Sequence, residues 1–138
     1  MRIRKARGFT LIELVLVITI LGILAVAALP SFINVSTQAR QASRDGVSGA
    51  VRSGIAMFRA NDLVVNGPPG IYPANLDGAA AGAASPTNLV FGTVLSQGIA
   101  DARWSKTNGT TYVYNDGTNA FTYTYTVATG TFTSPTAP

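Results

Sequence analysis

Gly8–Pro30 reads GFTLIELVLVITILGILAVAALP and decides the fold of this chain. Between Phe9 and Leu29 it holds 21 residues, of which only Glu13 is charged. A helix rises 1.5 Å per residue, so a segment of this length spans about 30 Å, the thickness of a bilayer's hydrocarbon core. The segment is therefore predicted to enter a membrane as a helix.

Four basic residues precede this segment, at Arg2, Arg4, Lys5 and Arg7. Clustered Lys and Arg at one end of a membrane span mark its cytoplasmic side. The rest of the chain is therefore predicted to lie on the opposite side of the membrane.

Glu13 is unusual in such a segment, because a charged side chain in hydrocarbon is costly and is kept for a partner or a function. One interpretation is a carboxyl group that reaches the nearby headgroups or is protonated. The other is an ion pair inside the membrane. No Lys or Arg lies between Arg7 and Arg40, so the cation would be a free α-amino group, made by a cut just before Phe9.

Gly8–Glu13, between the basic leader and an apolar span that ends at Pro30, resembles the processing motif of type IV prepilins and type II secretion pseudopilins. In that family a membrane peptidase cuts after the glycine and methylates the new amino terminus. The resemblance implies cleavage between Gly8 and Phe9, N-methylation of Phe9, and pairing of Glu13 with a neighbouring subunit's Phe9 amine. It implies two partners, the prepilin peptidase and identical or related pilin subunits.

The strong part of the resemblance covers Met1 to about Pro30. In the following helix, Ser31–Asn34 and Ala39-Arg40 are similar to mannose-sensitive haemagglutinin-type pilins.

Gly22 and Pro30 are the two positions that weaken the predicted helix. Proline lacks a backbone donor and crowds the carbonyl four residues earlier, so the stretch from Val26 to Pro30 is predicted to kink. In filaments of similar pilins, the backbone between such a glycine and such a proline can unwind on assembly.

Two other interpretations of the N-terminus stay open. The basic leader, the apolar stretch and the small residues Ala25–Ala28 also fit a secretory signal peptide, although the apolar run is too long and holds an acid near its start. An uncleaved single-pass anchor is the other alternative.

Composition indicates one domain plus a membrane segment. The 138 residues are 47% hydrophobic and only 12% charged. Four of the ten basic residues lie in the leader, which leaves six basic and six acidic side chains, so no nucleic-acid partner is predicted. Cysteine and histidine are absent, which removes disulfides, thiol chemistry and the usual general base and metal ligand. No catalytic, metal or cofactor site is predicted, and an enzyme is the class that the sequence favours least.

After Pro30 the pattern predicts an amphipathic helix over about residues 31–61. Its apolar stripe consists of Val47, Val51, Ile55 and Phe58, with Ile33 further back. Four arginines lie on or beside this stripe and either bind anions, pair with acids of the next subunit or are solvated: Arg40, Arg44, Arg52 and Arg59. A loop is predicted over about residues 62–86, anchored by Ile71–Pro73. Asn88–Gln97 is predicted as a short helix, with a strand as the alternative.

The C-terminal third predicts a small antiparallel sheet over about residues 110–133. Strands at Thr110–Asn115 and Ala120–Ala128 flank the hairpin signal Asp116–Asn119, and Thr131–Thr133 forms a third strand. Side chains alternate along a strand, so one face of the middle strand carries aromatic residues and the other carries threonines. The first face is predicted to cover the helix stripe: Phe121, Tyr123, Tyr125 and Val127.

These elements predict an α+β, type IV pilin-like fold in which a long N-terminal helix, half membrane segment and half amphipathic, packs on a small antiparallel sheet. The predicted organisation is a cleaved leader at 1–8, a transmembrane and polymerisation helix at 9–30, and a globular pilin domain at 31–138. We expect a structural subunit that waits in the bacterial inner membrane and then enters an extracellular or periplasm-spanning filament. The alternatives are a pseudopilin of a type II secretion system and a membrane-tethered binding module that never polymerises. The roles open to such a filament are adhesion, motility, DNA uptake and secretion.

Overall fold

The computed structural model describes residues 8–133, apart from the side chains of Ser31 and Ile33. The leader residues 1–7 therefore lie outside the described residues. The first element is the helix α1, and five short strands follow it: α1 Leu11–Asn66, β1 Gly82–Ala83, β2 Trp104–Lys106, β3 Thr111–Asn115, β4 Ala120–Thr126 and β5 Thr131–Phe132.

All strand pairs are antiparallel and follow the order β1-β2-β3-β4-β5. The predicted α+β fold, a long N-terminal helix with a small antiparallel sheet, is confirmed. The chain divides into two compact units, Met1–Gln38 and Ala39–Pro138.

In the second unit, α1 buries most of the predicted apolar stripe, whereas Phe58 is only half-buried. Val51 and Ile55 are fully buried in one core with the aromatic residues of the sheet, and Val47 packs against them. The helix continues to Asn66, beyond the expected end near residue 61. It ends where Gly67 takes a φ of 82°, which glycine adopts without strain.

An aromatic cluster forms the core of the second unit. Its members are Phe91, Trp104, Tyr112, Tyr114, Tyr123, Tyr125 and Phe132, all buried. The rings of Tyr123 and Phe132 stack with their centroids 5.2 Å apart, and Phe91 meets Trp104 edge-on at 5.3 Å. Offset and edge-on ring pairs of this kind stabilise a core beyond the burial of their surface.

The loop after α1 is fixed to this core by two of its three predicted anchors. Pro73 is buried, and its carbonyl accepts a hydrogen bond from the Tyr125 hydroxyl at 2.7 Å. Tyr72 packs against the cluster, whereas Ile71 is exposed, which corrects the prediction for that residue. The Ile71 backbone N–H makes the local contact instead, by donating to the Asp62 carboxylate at 2.8 Å.

The alternation predicted for the middle strand is confirmed within β4. Phe121, Tyr123 and Tyr125 are buried, and the threonines between them are exposed. The prediction that Val127 lies on the buried face is wrong, because Val127 is 39% exposed. The strand ends at Thr126, whose carbonyl accepts the Thr129 backbone N–H in the turn that leads to β5.

The predicted hairpin joins β3 to β4 through residues 116–119. The Asp116 carboxylate accepts the backbone N–H groups of Thr118 and Asn119 at 2.8 and 2.7 Å. Gly117 provides the positive φ, 97°, that the turn requires. Hydrogen bonds from the Asn119 and Thr118 amides lower the pKa of the Asp116 carboxyl below its ordinary value.

This lowered pKa predicts an acid sensitivity of the hairpin. A group whose pKa is depressed in the folded state stabilises it above the unfolded pKa, and this contribution is lost as pH falls through the folded pKa. Between about pH 5 and pH 2 we expect the denaturation midpoint to fall less in Asp116→Asn than in the native chain, because the amide does not titrate. Fluorescence of the single tryptophan, Trp104, reports unfolding of this unit in detergent. An equal fall in both proteins would contradict the prediction.

Two parts of the second unit depart from the sequence-based expectation. Asn88–Gln97, predicted as a short helix, consists of turns, and Val90 forms an isolated bridge with Ile99. Phe91 takes a φ of 61°, which is outside helical geometry. The strands β1 and β2 were not predicted, because runs of two and three residues are too short to show a period.

Close packing between α1 and the 88–97 segment predicts an effect of substitution at Gly54. A Cβ atom there would overlap the backbone carbonyl of Val94, which cannot move independently of its chain. We expect Gly54→Ala to lower the free energy of unfolding by about 1–3 kcal/mol, the usual cost of overpacking. Denaturant titration followed by Trp104 fluorescence measures it.

Gly49 supplies a matched control on the same helix, because a Cβ atom there would meet nothing within 4 Å. Gly49→Ala is expected to stabilise the helix by about 0.5–1 kcal/mol. If Gly54→Ala and Gly49→Ala change the free energy of unfolding by the same amount, the close contact between position 54 and Val94 does not destabilise the Gly54→Ala variant.

Candidate processing and assembly site

The predicted site lies in the first unit and begins with an exposed, non-helical stretch. Gly8, Phe9 and Thr10 precede α1, and the Phe9 side chain is 77% exposed. Every residue from Gly8 to Leu29 is exposed except Ala28, which is half-buried. Among residues 8–133, no other part of the chain therefore covers this long run of large apolar side chains.

Glu13 is held by Thr10 at the start of α1. Its Oε2 accepts the Thr10 backbone N–H at 2.8 Å and the Thr10 hydroxyl at 2.7 Å. In return, the Thr10 Oγ1 accepts the Glu13 backbone N–H at 3.3 Å. This reciprocal arrangement is a capping box, which satisfies donors that a helix N-terminus otherwise leaves unpaired.

Sequence reasoning singled out Glu13 but missed Thr10. The signal was present, because Thr-x-x-Glu directly before an apolar run is typical of a capping box. Gly8 and Phe9 precede α1, which begins at Leu11 and not at Phe9 as expected. Gly22 and Pro30 both lie inside α1, and the kink expected there stays a prediction.

The four helix arginines contact their own chain. Arg40 donates to the Asp116 carbonyl at 2.8 Å, and Arg52 donates to the Phe132 carbonyl in β5 at 3.0 Å. Two guanidinium groups also lie over aromatic rings, Arg44 over Phe121 at 4.3 Å and Arg59 over Tyr72 at 4.6 Å. These contacts tie α1 to the sheet and the loop.

A buried ion pair in the second unit has no counterpart in the sequence analysis. The Lys106 Nζ lies 2.5 Å from Oδ1 of Asp77, whose side chain is fully buried. The carboxylate also accepts the backbone N–H groups of Ala79 at 3.1 Å and Phe91 at 2.9 Å. Lys106 donates in addition to the Ala79 carbonyl at 2.9 Å. Each charge is therefore paired and hydrogen-bonded, as burial requires.

Among residues 8–133, no group of three or more carboxylates is close enough to hold a metal ion. Tyr112 is buried beside Asp77, and burial, followed by the contact with that carboxylate, raises the pKa of its hydroxyl. The Tyr112 hydroxyl is therefore protonated at neutral pH, and Tyr112 is part of the buried core.

Comparisons with known proteins identify a motif at the N-terminus of the chain and two similar proteins. Residues 3–29 match the family described as the prokaryotic N-terminal methylation motif. The chain is 51% identical over 53 residues to the type IV narrow pilus major component PilA5 of Thermus thermophilus. It is 29% identical over 128 residues to the fimbrial protein EcpC of Eikenella corrodens. This chain is therefore similar to proteins described as type IV pilus and fimbrial components.

The two relatives are covered to different extents. The match to the Thermus protein covers 38% of this chain and spans just under half, 46%, of that protein. The match to the Eikenella protein covers 81% of this chain and 78% of that protein. No solved structure matches the chain.

Among residues 8–133, α1 is the one helix long and apolar enough to cross a membrane. Its most apolar part lies near the N-terminus, where the methylation motif also lies. Together they fit a membrane-anchored precursor.

Proposed function

We propose that this chain is the precursor of a filament subunit. A prepilin peptidase cuts between Gly8 and Phe9 and methylates Phe9, and the processed chain polymerises through residues 9–30, with residues 31–138 as its globular domain. The observation that carries the proposal is an exposed, non-helical Gly8–Phe9 bond at the start of the 21 residues Phe9–Leu29, which carry a single charge and are all exposed except Ala28. A peptidase can reach a bond outside a helix without first unwinding the helix.

The apolar segment supplies the driving force for polymerisation. Its own large apolar side chains are exposed on all sides of the helix. The segment can therefore contact lipid before assembly and identical helices afterwards. Burial of apolar surface contributes about 25 cal/mol per Å² on removal from water, and less when the starting solvent is lipid.

In the second unit, the side of α1 opposite the buried stripe offers a further surface to neighbouring helices. The residues on this side recur at three- or four-residue steps. All of them are exposed and none is charged: Ala39, Ala42, Gly46, Ala50, Ser53, Met57, Ala60 and Val64. The solvent-facing side of a helix normally carries charged and polar residues. A side of small and apolar residues supports burial against another copy.

Glu13 fixes the axial register in this proposal. Cleavage creates an ammonium group at Phe9, and a carboxylate buried among apolar helices requires a cation nearby. A neighbouring copy whose Phe9 amine reaches Glu13 satisfies both charges, whereas other offsets leave both unpaired. The precursor waits in the bacterial inner membrane, and the assembled filament extends outward from it.

The test is the intact mass and N-terminal residue of the protein in filaments sheared from the native cells. The proposal expects a chain that starts at N-methylated Phe9. A chain that starts near Ala28, or that keeps Met1, would rule out pilin-type processing. The protein must also be recovered in a fibre fraction, because a membrane-tethered binding module would stay with the cell envelope.

A pseudopilin of a type II secretion system would share the same processing. The pilin and fimbrial relatives favour a surface pilus. Deletion of the gene separates the two: loss of surface fibres with normal secretion supports the pilus, and loss of secretion alone supports the pseudopilus.

A further inference from the structure

We propose that Thr10 is a positioning residue for filament assembly, because it holds the Glu13 carboxylate with one oxygen engaged and the other free for an incoming ammonium group. This inference rests on the proposed function, which pairs Glu13 with the Phe9 amine of a second copy of this chain.

The hydrogen bonds around Glu13 are unequally distributed. Both donors of Thr10, the backbone N–H and the hydroxyl, go to Oε2. Among residues 8–133, Oε1 has no hydrogen-bond donor, and the residue is exposed. The carboxylate therefore presents a single open acceptor atom on the outside of the first helical turn.

Two donors on one oxygen restrict the orientation of the carboxylate. A free glutamate side chain samples many rotamers, and ordering it on binding costs conformational entropy. A side chain that is already ordered binds its partner with a smaller entropic loss. Thr10 therefore prepares Glu13 for the amine before the second copy arrives.

The arrangement survives processing. Cleavage breaks the Gly8–Phe9 bond, whereas the N–H that Thr10 donates belongs to the Phe9–Thr10 bond. Thr10 becomes the second residue of the processed chain and keeps both donors. The new ammonium group of Phe9 thus appears one residue before Thr10, at the same end of α1.

Thr10 also explains how Glu13 resides in a bilayer before assembly. A carboxylate near the headgroups requires hydrogen-bond donors, and between Arg7 and Arg40 the chain offers no cation. The Thr10 amide and hydroxyl supply those donors from within the chain. The hydroxyl is the part that a substitution can remove, because the amide belongs to the backbone.

The experiment compares Thr10→Val with Thr10→Ser in the full-length chain expressed in its native cells. Valine keeps the size of threonine and removes the hydroxyl, and serine keeps the hydroxyl. We expect Thr10→Val to reduce the sheared filament about fivefold, the effect that loss of a typical N-cap has on an equilibrium. Thr10→Ser is expected to restore it. Mass spectrometry of the cell envelope should find both variants cut at Gly8.

A second readout does not depend on filaments. In the full-length chain in detergent micelles, hydrogen exchange of the Glu13 amide should be about fivefold faster in Thr10→Val and near the native rate in Thr10→Ser. Thr122→Val is the control, because Thr122 lies on the exposed face of β4 in the second unit, outside residues 9–30. It should change neither readout.

Each other outcome overturns the inference. Native filament yield in Thr10→Val would show that the hydroxyl is dispensable, and low yield in both variants would assign the effect to side-chain shape. Accumulation of the uncut Thr10→Val chain would place Thr10 in peptidase recognition. Absence of filaments from the native chain would reject the proposed function. Unchanged hydrogen exchange of the Glu13 amide in Thr10→Val would separately reject the inference that the Thr10 hydroxyl orders Glu13.

Discussion

Lys106→Met is expected to lower the free energy of unfolding of the second unit by about 3–5 kcal/mol, the usual cost of removing one partner from a buried ion pair. The Asp77 side chain is fully buried and Lys106 is 9% exposed, so water cannot replace the missing ammonium group. Asp77 would keep its two backbone donors from Ala79 and Phe91 but carry an uncompensated charge. Denaturant titration of the full-length chain in detergent, followed by Trp104 fluorescence, measures the change.

The chain supplies a surface ion pair as a matched control. Arg44 and Asp45 lie 3.0 Å apart, and the Asp45 side chain is 65% exposed. Asp45→Asn is expected to change the free energy of unfolding by less than about 1 kcal/mol, as exposed pairs do. A loss from Lys106→Met as small as that from Asp45→Asn would show that the buried pair does not stabilise this unit.

The parts of the fold that could be predicted from the sequence have local, periodic signals. The Phe9–Leu29 span is apolar over its whole length, and the hairpin at Asp116–Asn119 separates two alternating strands. In β4 the alternation continues for seven residues, long enough to identify the buried face. Such patterns are set by helix and strand geometry alone, so they are visible without knowledge of the rest of the chain.

The parts that could not be predicted depend on contacts between distant residues in irregular segments. Lys106 and Asp77 are 29 positions apart, and neither lies in a periodic run that would indicate its burial. Phe91 leaves helical geometry while its amide donates to Asp77, so the same carboxylate also helps to explain why the 88–97 segment is not a helix. At the candidate site, the acid was found because its charge is out of place, whereas Thr10 was missed although its spacing from Glu13 is typical of a capping box.

Glu13→Ala and Glu13→Gln are both expected to reduce sheared filament at least tenfold, because neither residue supplies a charge for the Phe9 ammonium group. Leaving that ammonium unpaired among apolar helices is the kind of loss that costs more than about 1.4 kcal/mol, a factor of ten in an equilibrium. Quantification of the chain in sheared and envelope fractions measures the effect. The denaturation midpoint of the second unit should be unchanged, since Glu13 lies outside it.

The glutamine variant separates charge from helix capping. Glutamine also occupies the third helical position of natural capping boxes, so Glu13→Gln keeps an acceptor for the Thr10 donors while it removes the charge. If charge matching sets the register, glutamine fails to assemble although hydrogen exchange in the first turn stays close to native. If glutamine assembles normally and alanine does not, then Glu13 acts only as a helix cap, and the Phe9 ammonium group must find its counter-charge elsewhere.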